Sequence, residues 1–68
     1  MNYTDEISEA VREWMARERL NQRQAAAAVG LRRPTFLARL SGDAAWKANE
    51  LPILARAGVD LPAPEVVR

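Results

Sequence analysis

Neither cysteine nor histidine occurs among the 68 residues of this chain. Their absence excludes disulfides, the usual zinc-ligand sets, thiol nucleophiles and imidazole general bases, which removes most enzyme classes. Glycine and proline are sparse, at three and four residues, as in an ordinary, largely helical domain, and nothing points to a sheet. Lysine is nearly missing: Lys47 stands against nine arginines. Together with abundant alanine that ratio follows from a GC-rich coding sequence and is given no functional weight. No apolar run approaches the roughly 20 residues of a membrane span. The start, Met-Asn-Tyr-Thr-Asp-Glu, has neither the basic residues nor the apolar stretch of a signal peptide. A cytoplasmic location is therefore expected.

What is present is enough for one domain with one small core, near the lower limit for a chain without staples. A hydrophobic fraction of 49% argues against a disordered tail. The net charge of +1 is by itself a poor argument for a polyanionic partner. Its distribution says more. Asp5, Glu6 and Glu9 precede the first arginine, whereas Arg12, Arg17, Arg19, Arg23, Arg32, Arg33 and Arg39 follow with only Glu13 and Glu18 among them. The middle of the chain is basic.

Ile7, Ala10, Val11, Trp14 and Met15 recur at helical spacing and predict a first helix over about 5–18, with Trp14 in the core and Thr4 or Asp5 as its cap. The early acids then sit at the positive end of the helix dipole. Asn21 and Gln24 have capping-box spacing and open a second helix. Its four alanines at 25–28 favour helix and allow close approach of another, and Gly30 falls where a left-handed glycine is expected. Leu31 follows as an apolar plug. A third helix is predicted over about 33–41, with Pro34 in its first turn, Phe36 and Leu40 on its inner edge and Gly42 at its end. For the last helix Asn49 is preferred as cap, which places Pro52 at its third position, and Gly58 stops it. Leu51, Leu54, Ala55, Val59 and Leu61 are expected to close the core. The domain is expected to span 1–61, and residues 62–68, with two prolines, are expected to be an extended tail.

Leu20, Asn21 and Gln22, followed by Ala26, Val29, Gly30, Leu31, Thr35, Phe36, Leu40 and Gly42, resemble the helix-turn-helix of the phage repressor and Cro superfamily. Trp46, Glu50, Leu51, Leu54, Ala55, Gly58 and Val59 are similar to the final helix of its small repressors, so the likeness covers about 5–61. It implies an all-α, lambda-repressor-like domain of four or five helices that binds double-stranded DNA and regulates transcription in a bacterial or phage-infected cell. It also implies that Gln22 bonds a phosphate, with Arg23 adding charge, and that the third helix enters the major groove. Arg33, Pro34, Leu37 and Ala38 then face DNA, with Thr35 in the same turn. Arg33 ranks first as a bidentate contact to guanine, and Leu37 and Ala38 suit thymine methyl groups. Arg32 stands at the cap position of this helix, where the family often has Ser or Thr. A cation there opposes the helix dipole, a conflict that a phosphate or base contact offsets.

Two positions depart from the family pattern. A buried Arg-Glu pair common in the family maps to Met15 and Leu40, an apolar pair here. Arg39 occupies a position that is commonly apolar, so either its stem covers the core and its head reaches solvent or phosphate, or the helix rolls and exchanges it with Leu37. Arg12, Arg17 and Arg19 read as surface charges balancing Glu9, Glu13 and Glu18, with contact of one of them to phosphate as the alternative. The two glutamines of the second helix also serve as cap chemistry, and Trp46 divides between packing and a pairing surface. No catalytic residue, metal or cofactor is expected. The expected partner is a pseudo-palindromic operator bound by a homodimer, with pairing on DNA one form of it. Trp46, Val59, Leu61, Val66 and Val67 are the expected contact surface between copies. Two alternatives stay open: a protein-interaction module on the same fold, such as an antitoxin or a phage protein that binds a host factor, and an excisionase-like architectural DNA binder.

Overall fold

Asn2 takes an extended conformation and its side chain accepts the Asp5 amide at 2.9 Å, which caps the first helix, α1, Tyr3–Glu18. The helix therefore begins two residues earlier than expected, and Thr4 and Asp5 lie inside its first turn. Residues 2–62 are described by the structure, a computed structural model. Beyond α1 they form α2 (Gln22–Ala28), α3 (Arg33–Ser41), a 3₁₀ turn (Ala48–Glu50) and α4 (Leu51–Ala57). The domain is all-α, with no strand among the described residues. The tail positions 63–68, Val66 and Val67 among them, lie outside those residues.

The capping box of α2 forms in both directions. Gln24 N donates to Asn21 Oδ1 at 2.8 Å, and Asn21 N donates to Gln24 Oε1 at 3.0 Å. Gly30, at φ +70°, closes the helix, and the Leu31 amide folds back onto the Ala26 carbonyl at 3.0 Å. The turn between α2 and α3 is thereby fixed by backbone bonds. At the end of α1 the same left-handed position is filled by Arg19, at φ 56° and ψ 45°, with Leu20 N bonded to Met15 O at 2.8 Å. A side chain in that region is unfavourable, which marks Arg19 as the strained helix end. The last helix departs from expectation. Asn49 lies within the 3₁₀ turn and Pro52 in the first turn of α4, where its missing N–H is not needed.

The core joins all four helices. Ile7, Val11 and Trp14 of α1 pack with Ala25, Ala26 and Val29, with Phe36 and Leu40, and with Leu54 and Val59. Leu51 and Leu61 are partly buried against this cluster, but Ala55 is exposed and does not help close it. Leu40 is buried within this cluster and Met15 is half-buried against it. Trp46 belongs to the core as well, meeting Phe36 edge to face with ring centroids 6.2 Å apart. Its burial, like that of Val59, withdraws both residues from any surface for pairing between copies.

A chain of buried polar contacts runs beside this apolar cluster. Trp46 Nε1 donates to Ser8 Oγ at 2.9 Å, and Ser8 Oγ donates to the Arg39 carbonyl at 3.0 Å. The Arg39 side chain turns the other way, and its Nε donates to Glu50 Oε1 at 2.7 Å. The Lys47 amide donates to the same oxygen at 2.7 Å. Among the described residues no buried side-chain nitrogen or oxygen lacks a partner. These bonds hold α1, α3 and the segment ahead of α4 in one register, and so fix the roll of α3.

Candidate functional site

The polar chain decides which side of α3 faces outward. Arg39 is buried and bound to Glu50, so it leaves the set of candidate surface contacts that the sequence suggested. The alternative roll, with Arg39 outward and Leu37 inward, is overturned with it. A buried guanidinium needs a charged, hydrogen-bonding partner, and Glu50 supplies one that leaves neither group orphaned. Burial alone would raise the pKa of Glu50. The hydrogen bonds from Arg39 and the Lys47 amide, with the charges of both side chains, outweigh it and hold the carboxyl below its ordinary value of 4.5.

With Arg39 inside, the outward side of α3 carries Arg33 and Pro34, both exposed, and Thr35, Leu37 and Ala38, each half-buried. Leu37 does two things at once, packing against the core and bordering an open groove along α3. Pro34, Ala38, Leu40 and Ser41 line the same groove, joined by Gln22 from α2, Arg12 from α1 and one acid, Asp43. A second groove is lined by Met15, Asn21, Gln22, Arg23 and Arg33. Gln22 borders both. The first turn of α2 and the outward side of α3 thus make one surface, as the turn at Gly30 requires.

Arg32, exposed at the cap of α3, makes no side-chain capping bond. Neither it nor Arg23 or Arg33 pairs with a carboxylate, since the ion pair found among the described residues is Arg39 with Glu50. Arg23 and Arg33, which line the second groove, and Arg32 at the α3 cap thus have no direct charge partner, while a separate groove collects Glu6, Glu9, Glu13 and Asp60. The two kinds of groove share no lining residue. The segregation of charge is partial, since Asp43 lines the α3 groove and Glu9 also borders a recess that Arg12 lines.

Sequence reasoning assigned Arg12 and Arg17 to balancing α1 glutamates, and the structure gives them other partners. Arg12 Nη2 donates to the Leu40 carbonyl at the end of α3, and Arg17 Nη2 donates to the Gly58 carbonyl behind α4 at 3.0 Å. A cation at a helix C-terminus is favoured by the dipole, but the pairing depends on how helices meet and leaves no local trace in sequence. Ser8 and Glu50 were missed too. For Arg39 and Glu50 a signal existed: each has a charge at a position where its neighbours Phe36, Leu40 and Leu54 demand the core side, and the charges are opposite. Among the described residues no group of acids is arranged to hold a metal ion, and no helix is long and apolar enough to cross a membrane. No protein-family model, no curated protein and no solved structure matches the chain, and the meaning of this surface has to come from its own geometry.

Proposed function

We propose that this chain is a sequence-specific binder of double-stranded DNA, a transcription regulator of the phage repressor and Cro kind, with α3 in the major groove. One observation carries the reading: Gln22 borders both grooves, so the Gln22 amide and Arg23 of α2 and the outward side chains of α3 form one continuous surface. Phosphate contacts position such a protein and base-edge contacts specify its site. Gln22, Arg23 and Arg32 suit the first task. Arg33, with Leu37 and Ala38 behind it, suits the second, through a forked contact to guanine and apolar contact to thymine methyls. Arg39 takes no part. The unpaired cation at the α3 cap, unfavourable for an isolated helix, supports the reading because phosphate would compensate it.

Affinity from so small a reading surface favours two copies on a pseudo-palindrome, with half-sites about one helical turn apart. Ile53 of α4, the exposed large apolar side chain of the described residues, takes the place of Trp46 and Val59 as the candidate contact between copies. The test is an anisotropy titration against DNA from the gene's own neighbourhood, repeated over salt concentrations and with Arg33→Ala. A preferred site, a steep salt dependence and a relaxed base preference in the variant are expected. Weak, sequence-indifferent binding that Arg33→Ala leaves unchanged would sink the proposal. Recovery of one stoichiometric protein partner in place of DNA would favour an interaction module.

A further inference from the structure

Arg12 lies on α1, outside the helix-turn-helix segment, yet it lines the groove along α3 together with Gln22, Pro34, Leu37 and Ala38. We infer that Arg12 is a further phosphate-binding residue, held in place by α3 itself. The inference rests on the DNA-binding reading above. A guanidinium has five N–H donors, and the Leu40 carbonyl engages Nη2. The head is therefore anchored at the end of the helix that would lie in the major groove, and donors remain for another acceptor.

The charges around Arg12 come from two sides. Asp43 lines the α3 groove, and Asp5 and Glu9 border a smaller recess that Arg12 also touches. None of the three is within ion-pair distance of it. A helix cap accounts for the bond to Leu40. It does not account for a cation in the same groove as Gln22, on a different element from Arg23 and Arg33. Phosphate binding accounts for both, because anchoring the guanidinium in advance reduces the conformational freedom given up when a phosphate is bound. Arg17 is the built-in contrast: it makes the same kind of bond, to the Gly58 carbonyl, but lines neither groove.

The experiment compares the salt dependence of duplex binding for the wild type, Arg12→Gln, Arg12→Lys and Arg17→Gln, each first checked by circular dichroism. For Arg12→Gln the slope of log K against log salt should shrink by about 0.9, the change expected when one phosphate is no longer neutralised. Arg12→Lys, which keeps the charge, and Arg17→Gln should keep the wild-type slope. An unchanged slope in folded Arg12→Gln overturns the inference while leaving the DNA-binding proposal intact, and a wild type that binds no duplex overturns both. A second measurement needs no variant: the Arg12 Nε–Hε resonance of the wild-type protein should shift when duplex is added. If it stays fixed while that of Arg33 shifts, Arg12 is a helix cap alone.

Discussion

Arg39 and Arg33 stand six positions apart on one helix and live in opposite surroundings. Arg39 is buried, its guanidinium bonded to Glu50 and its carbonyl to Ser8. Arg33 is exposed at the start of α3 and pairs with no carboxylate. The first is spent on fixing how α3 lies in the molecule, and the second is left free by that choice. The difference teaches that the count of arginines in the basic segment is a poor guide to a binding surface. What matters is which of them the fold has already occupied.

The largest test of this contrast is to break the occupied side. Glu50→Ala strands a buried guanidinium and leaves the Lys47 amide without its acceptor, which should lower stability by about 3–5 kcal/mol in denaturant unfolding. That is most of what a small domain has. The double change Arg39→Met with Glu50→Leu should recover the larger part of it, because an apolar pair removes both desolvation penalties and only the Lys47 amide still lacks its acceptor. Acid sharpens the same point. The folded carboxyl of Glu50 titrates below its ordinary 4.5. Its contribution to stability is thus complete above that pH and is lost as pH falls through the lowered value. The double variant should lack this share of the acid transition, seen by circular dichroism.

Removing the Trp46 bond to Ser8 with Trp46→Phe should cost about 1–3 kcal/mol, since Ser8 Oγ then loses its buried donor. On the free side, Arg33→Ala should alter unfolding stability by no more than about 0.5 kcal/mol, whatever it does to DNA binding. A larger loss would mean that Arg33 is also occupied and would dissolve the contrast. An effect of opposite sign belongs to Arg19→Gly. Relieving a left-handed side chain should raise stability by about 0.5–1 kcal/mol in the same unfolding measurement, part of the gain being offset by the freedom of glycine in the unfolded chain.

The local features were legible from sequence because each has a local cause. Asn21 and Gln24 lie three apart, Gly30, Gly42 and Gly58 end helices, and Phe36 and Leu40 mark an inner edge. Misplaced boundaries fell where two local solutions compete, as at Asn2 against Thr4 and at the 3₁₀ turn that absorbs Asn49. The long-range polar chain from Trp46 through Ser8 and Arg39 to Glu50 was not legible as a whole. Ser8 and Arg39 are 31 positions apart, and Ser8 and Trp46 are 38. Such bonds follow from helix packing, and for the same reason the roll of α3 stayed open until the fate of Arg39 was known. The candidate surface was readable in its residue types, Gln22, Arg23 and Arg33 above all, but its membership was not. Arg39 had to leave it, and Arg12 enters only because α1 passes beside α3.

The Tyr3 hydroxyl donates to the Pro62 carbonyl at 3.0 Å, across 59 positions of chain. The two ends of the described fold therefore meet, and Pro62 lines the acidic groove, which shares no residue with the grooves of α2 and α3. A linker joined directly after Pro62 of one copy and leading to Tyr3 of another would leave from that acidic side. Two copies joined in this way are a practical route to a single-chain tandem, in which the second half-site would be met at an effective concentration set by linker length and no longer by the association of free copies.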